Sequence, residues 1–213
     1  MRELPNEGIR LDFAQGRTTI TDLAEINSTL HPIGFRAWPI DLTAASEALR
    51  PLLARPTLTD ADVAMVRDHF LLSQEQLLTL IAEAGRTPQV PGGGEMTTLD
   101  ATNGVTYPQL YLVEAGVDYS RFDRFHVNSS AEGPGTDEFM QILSGGGIRV
   151  LQHLPGEGEF TVTFDCVGDE RGWMVTYDGG RPHIGSFTGA ETGTKILVQV
   201  MGPPSWEMHY VDG

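Results

Sequence analysis

The sequence predicts a mainly β protein, a closed barrel or jelly roll carrying a small helical region at its N-terminal side. Three observations point there. Eight short apolar runs follow Pro88, each bounded by glycine, proline or acidic residues. Helical periodicity is concentrated before Pro88. The chain has 213 residues, of which 40% are hydrophobic, enough to bury a core and too many for a disordered chain.

Residues 1–25 carry no informative pattern. A helix is expected after Thr43, broken or kinked at Pro51. Thr59 with Asp62 resembles a capping box ahead of Val63, Val66 and Phe70, which recur at helical spacing. Ser73 with Gln76 repeats the signal ahead of Leu77, Leu78 and Ile81, and Gly85 is placed to cap the end. Two or three short helices are thus expected between 43 and 84. Pro91-Gly92-Gly93-Gly94 reads as a turn or connector. The strand-like runs are Tyr107–Val113, Phe122–Asn128, Glu138–Leu143, Ile148–His153, Phe160–Asp165, Trp173–Tyr177, His183–Phe187 and Lys195–Met201. The expected organisation is a helical segment, 1–88, packed on a barrel, 89–213, as one compact domain.

A net charge of −15 and a pI near 4.6 argue against nucleic acid and anionic membrane as partners. The single cysteine, Cys166, excludes an intrachain disulfide and a cysteine-based zinc site, which fits a reducing cytoplasm. Met1–Gly16 lacks the apolar centre of a secretory leader, and no apolar run of about 18 residues occurs. The expected partner is a small molecule.

The chemistry concentrates between Phe122 and His153. His126 and Asn128 stand two apart, so on a strand both face one side. Glu138 opens the next apolar run and would face them across a hairpin, sharing one face with Met140 and Ile142, while Phe139, Gln141 and Leu143 take the other. A carboxylate in such a run needs a partner. His183 would reach the same space from a later strand. Two imidazoles and one carboxylate form the facial set that leaves open positions on non-haem Fe(II). Taken singly, each histidine has a plainer role. His69 reads as solvated or packing, His31 as a loop residue, His209 as an edge-strand residue and His153 as structural.

Glu138, six intervening residues and Gly145 match the second half of the first cupin motif, and Asp178-Gly179-Gly180-Arg181-Pro182-His183 resembles the second. Within the cupins, the chain resembles the acireductone dioxygenases. Phe122-Asp123-Arg124-Phe125-His126-Val127-Asn128, Asp137-Glu138-Phe139 and Gly145-Gly146-Gly147 follow that family's order. Gly34-Phe35-Arg36-Ala37-Trp38 is similar to its early Arg/Trp strand, and Trp206 after Gly202-Pro203-Pro204 to its closing segment. The resemblance spans roughly 25–206. It implies a cupin-type jelly-roll β-barrel and a mononuclear metal site of His126, Asn128, Glu138 and His183. The implied metal is Fe(II), with Ni(II), Mn(II) or Zn(II) as alternatives, and the implied co-substrate is O2.

Three departures qualify what the resemblance implies. Asn128 replaces the family's second histidine and is either a weaker fourth ligand or an orienter of water or substrate. Nine residues separate Asn128 from Glu138, a longer loop that would sit at the cavity mouth. Met140 replaces an arginine expected beside an anionic enediolate, so a different, more apolar dicarbonyl or enol substrate is expected. Arg149 and Arg181 are the candidate replacements for that charge, Arg149 being equally readable as a solvated strand residue. Tyr107 and Tyr111 are read as pocket residues, and Phe125, Phe139, Phe187 and Trp173 as core. Glu138 and Asn128 are the residues expected to take part directly in the chemistry. The leading expectation is a metal-dependent dioxygenase acting on a small dicarbonyl or enolate. A non-redox metal-dependent lyase or isomerase, and a non-catalytic cupin that binds a small molecule, are the alternatives.

Overall fold

The computed structural model describes residues 7–14, 16, 18–97 and 105–212. Residues 1–6, part of the stretch read for a leader, lie outside them. Twelve strands occur among the described residues: β1 (Ile9–Phe13), β2 (Arg36–Asp41), β3 (Glu95–Met96), β4 (Gln109–Leu112), β5 (His126–Ser129), β6 (Asp137–Ser144), β7 (Ile148–Leu154), β8 (Gly158–Phe164), β9 (Arg171–Asp178), β10 (His183–Ser186), β11 (Lys195–Gly202) and β12 (Glu207–Tyr210). Four α-helices accompany them: α1 (Leu23–Leu30), α2 (Arg50–Ala54), α3 (Asp60–Phe70) and α4 (Gln74–Glu83).

The strands form two antiparallel sheets packed face to face. One runs β1-β8-β7-β10-β5-β12; the other runs β2-β9-β6-β11-β3, with β4 also on β11. No ladder joins the two sheets among the described residues, so the jelly roll is a sandwich and not a hydrogen-bonded closed barrel. All eight predicted strand runs form strands. Two begin later than expected. Pro108 has no N–H to give a ladder, and β4 starts after it. Ser120–Phe122 is a 3-10 turn, so β5 starts at His126.

The interior is lined by alternate residues. Leu11, Val150 and Phe160 come from one sheet, and Ile142, Val175 and Ile196 from the other. The outer face of the second sheet is covered as well. Leu110, Leu143 and Leu197 pack under Leu52, Leu53 and Val66, while Phe139, Met174 and Met201 pack under Leu77 and Ile81 of α4. This double cover explains why β6 reads as an unbroken apolar run: both of its faces are buried. In contrast, β7, whose outer face is less covered, alternates.

Both capping boxes are present, at Thr59/Asp62 and Ser73/Gln76. Gly85 takes a left-handed φ of 76° just after α4, against the His31 ring. His31 lies in a 3-10 turn and not a loop. Pro51 does not break its helix. It occupies the first turn of α2, where a missing N–H is harmless. No helix among the described residues is long and apolar enough to cross a membrane.

A buried ion pair ties the helical segment to β6. Arg86 pairs with Asp137 and donates to Gly34 O at 2.9 Å and Thr176 Oγ1 at 2.8 Å. The Gln89 N–H donates to the other Asp137 oxygen at 2.8 Å. Replacing Arg86→Met would leave a fully buried carboxylate without its cation. It should lower unfolding free energy by about 3–5 kcal/mol, read from chemical denaturation.

Candidate metal centre

Four polar side chains meet inside the sandwich: His126 (3% exposed), Asn128 (4%), Glu138 (6%) and His183 (1%). His126 and Asn128 come from β5, and His183 comes from β10, where it pairs directly with His126. Glu138 comes from β6, in the opposite sheet. It therefore faces them across the sandwich interior and not across a hairpin. The loop between Asn128 and Glu138 carries the chain from one sheet to the other. Met140 and Ile142 share its inward face, while Phe139 and Leu143 pack under the helices.

The two histidines are held alike. His126 Nδ1 lies 2.8 Å from Arg124 O, and His183 Nδ1 lies 2.8 Å from Arg181 O. A carbonyl can only accept, so each Nδ1 carries the proton and each Nε2 is left free. The ring centroids are 4.3 Å apart. His183 Nε2 stands 3.2 Å from Glu138 Oε1. Asn128 Nδ2 donates to the same oxygen, and the Tyr177 hydroxyl donates to Glu138 Oε2 at 3.0 Å. Asn128 Oδ1 and His183 Nε2 are buried without a hydrogen-bond partner of normal geometry.

Burial alone would push the Glu138 carboxyl up. The His183 charge and the Asn128 amide outweigh it and hold the pKa at about 2. At His183 burial opposes the charge, but the Glu138 carboxylate more than offsets this and keeps its pKa above the ordinary value. His126 is lowered to about 4 by burial and by its neighbour His183. Tyr177 is pushed well above its usual range by burial and then by Glu138, so it stays a donor. The cluster thus pairs a carboxylate held ionised with two imidazoles whose pKa values are pushed in opposite directions.

A cavity of about 30 Å³ opens on this cluster. By the same measure a water needs roughly 10–15 Å³, so this space holds little more than two waters. Met140 and Tyr111 line it, as do Tyr107, Phe122, Trp206 and Met208. Phe187, read as core, also lines it; its ring sits 5.3 Å from Phe122 and 5.6 Å from Tyr111. Two expected pocket cations do not. Arg149 points to the outer side of its sheet because the inward positions on β7 are Ile148, Val150 and Gln152, and its guanidinium donates to Ser186 Oγ at 3.0 Å. Arg181 contributes only its carbonyl, to His183. The 129–136 loop does not line the cavity either. It folds into a turn through Ser130 N–H to Pro134 O at 2.9 Å and Gly133 N–H to Ser130 O at 3.0 Å. Tyr177, which no sequence motif marks, is a direct partner of Glu138, and period two from the core residue Trp173 places it inward.

Gly179 is where the backbone closes behind the carboxylate. Its N–H donates to Thr136 O at 2.8 Å and its carbonyl accepts from Asn128 N–H at 2.7 Å. A Cβ there would stand 2.3 Å from Thr136 Oγ1 and 2.5 Å from Glu138 Oε1. Gly179→Ala should therefore cost about 1–3 kcal/mol of stability in denaturation experiments.

No family model and no curated protein sequence matches this chain. A solved structure does: acireductone dioxygenase from Bacillus anthracis with cadmium ion in its active centre. The two align with a TM-score of 0.61 and 13% sequence identity, over 93% of this chain and 95% of that one. At that identity the likeness establishes the architecture, and the chain has a cupin-type jelly-roll fold.

Proposed function

We propose that this protein is a cupin metalloenzyme, an Fe(II)-dependent dioxygenase that oxygenates or oxidatively cleaves a small dicarbonyl or enolate with O2. The observation that carries this reading is the pair of Nδ1-anchored imidazoles turned toward one buried carboxylate. Neighbouring ligands of an ion bound at about 2.1 Å lie about 3 Å apart when at right angles. The 3.2 Å between His183 Nε2 and Glu138 Oε1 suits such a pair. Among the described residues, no three His, Cys, Asp or Glu side chains already surround one common point. The Glu138 carboxylate favours a proton on His183, and a divalent ion would take that proton's place.

His126, Glu138 and His183 would hold the ion. Asn128 and Tyr177 would orient the carboxylate, one on each oxygen. The ion would supply charge stabilisation and a template bringing substrate and oxygen together. The aromatic walls would exclude water. The small cavity favours a small substrate, and Met140 removes the positive charge that an anionic enediolate would need. The cadmium in the active centre of the structurally similar dioxygenase supports a divalent metal as cofactor.

A second reading is a cupin that only binds a small molecule. The Asn128 replacement and the lack of a ready three-donor cage favour it. Metal analysis of the native protein, then Fe(II) titration without oxygen and oxygen uptake with 1,2- and 1,3-dicarbonyls, separates the two. The enzyme reading expects one metal per chain, lost in His126→Ala and Glu138→Gln. Sub-stoichiometric metal, with His126→Ala as stable as the parent, supports binding alone. Affinity should fall about tenfold per pH unit on acidification, because the ion displaces one proton from His183. Since Glu138 raises that pKa, the fall should begin above the usual histidine value of 6.5.

A further inference from the structure

One buried polar side chain stands next to the cluster without a role in it. Gln152 is 1% exposed, and neither atom of its amide has a hydrogen-bond partner among the described residues. It lies on the inward face of β7, where its neighbours at period two, Val150 and Leu154, are core. A primary amide in such a row costs free energy that a leucine would not, unless something pairs with it. The other buried glutamines among the described residues are paired. Gln141 donates to Phe70 O at 2.7 Å, and Gln199 accepts from Leu72 N–H and donates to Leu72 O, both at 3.0 Å.

The strand register fixes what lies beside Gln152. It stands opposite His183 of β10 on one side and opposite Phe160 of β8 on the other. His183 in turn stands opposite His126 of β5. Three inward polar side chains therefore cross the sheet in one row, His126, His183 and Gln152, with successive Cβ atoms about 5 Å apart. These neighbours offer the amide no partner. Phe160 has no polar side-chain atom. The His183 ring is engaged at both nitrogens, Nδ1 at Arg181 O and Nε2 toward Glu138 Oε1. Both Glu138 oxygens are taken by Asn128 and Tyr177. In this row the lining of the 30 Å³ cavity stops at His183, one strand short of Gln152. The amide can thus serve only an atom held next to that ring.

We propose that Gln152 is a positioning residue of the metal centre. Its amide would hold one oxygen atom of a ligand to the ion, a water or the substrate oxygen that displaces it, on the side of His183 away from His126. Nε2–H would donate to that oxygen, and Oε1 would accept from it where it carries a proton. This deepens the proposed function and rests on it in requiring the ion.

Co(II) is the probe, added without oxygen to the full chain and to Gln152→Met and Gln152→Leu, which remove the amide and keep its bulk. Visible absorption follows uptake, and urea denaturation is run with and without the ion. The variants should bind Co(II) about 10- to 100-fold more weakly than the parent, the usual effect of losing a partner just outside the ligand set. Their spectrum at saturation should differ from the parent's, because the oxygen ligand is no longer held in place. Without metal their urea midpoints should equal or exceed the parent's, since the amide they lose has no partner there. A lower metal-free midpoint, or failure of both variants to fold, would show the amide to be structural and overturn the proposal. Co(II) affinity and spectrum equal to the parent's would overturn it too, and would leave the metalloenzyme reading standing. No uptake by the parent itself sinks that reading, and this proposal with it.

Discussion

The pairing of Arg86 with Asp137 decides which way β6 faces, and the rest of the site depends on that. Asp137 and Glu138 are consecutive carboxylates on one strand, so they must point to opposite faces. Both are buried. Each needs a compensating partner, and the partners differ. Asp137 takes Arg86 from beyond α4 together with the Gln89 N–H, whereas Glu138 takes His183, Asn128 and Tyr177. A register slip of one residue would present Asp137 to the histidines and Glu138 to the guanidinium, and would turn Met140 and Ile142 outward. Burial raises the Asp137 pKa against the pull of Arg86. The pair is therefore a specifying contact more than a stabilising one, and removing one partner is what would be costly.

The same economy appears at the histidines. Neighbouring strands each place a ring whose Nδ1 donates to a carbonyl two residues earlier, Arg124 for His126 and Arg181 for His183. The residue before each histidine, Phe125 or Pro182, thus belongs to a bend that aims the ring, and the tautomer is set by backbone alone. Glu138 gathers the set. Both of its oxygens are occupied by donors, which confines the carboxylate to one orientation facing His183.

Much of this is legible in the sequence. Spacing of two marked His126 and Asn128 as co-facing, and the capping boxes at Thr59 and Ser73 marked two helix starts to the residue. Period two placed Met140 beside Glu138. Other features were hidden for physical reasons. β1 alternates Ile9, Leu11 and Phe13 inward, but five residues make too short a signal in a stretch without other pattern. α1 opens with Asp22 accepting from Glu25 N–H, a cap shorter than the box that revealed α3 and α4. The hairpin expected between Asn128 and Glu138 failed because pairing is a tertiary choice. A connection of nine residues can close a hairpin or cross between sheets, and here it crosses. Arg149 and Arg181 were placed near the pocket by sequence proximity to the motifs, which says nothing of the face a side chain takes. Phe187 is core and cavity wall at once, because a cavity this small is walled by the same rings that fill a core.

That last point bears on how this scaffold separates architecture from chemistry. The four polar side chains lie at or near the starts of paired strands and are held by ladders, backbone carbonyls and a buried ion pair. The selecting wall is built from elsewhere: Tyr107 and Tyr111 at β4, the 3-10 turn at Phe122, and Trp206 and Met208 toward the C-terminal end. The wall and the polar cluster come from different segments, and Met140 brings no charge into the cavity. A fold shared at 13% identity can thus surround the same interior with different side chains.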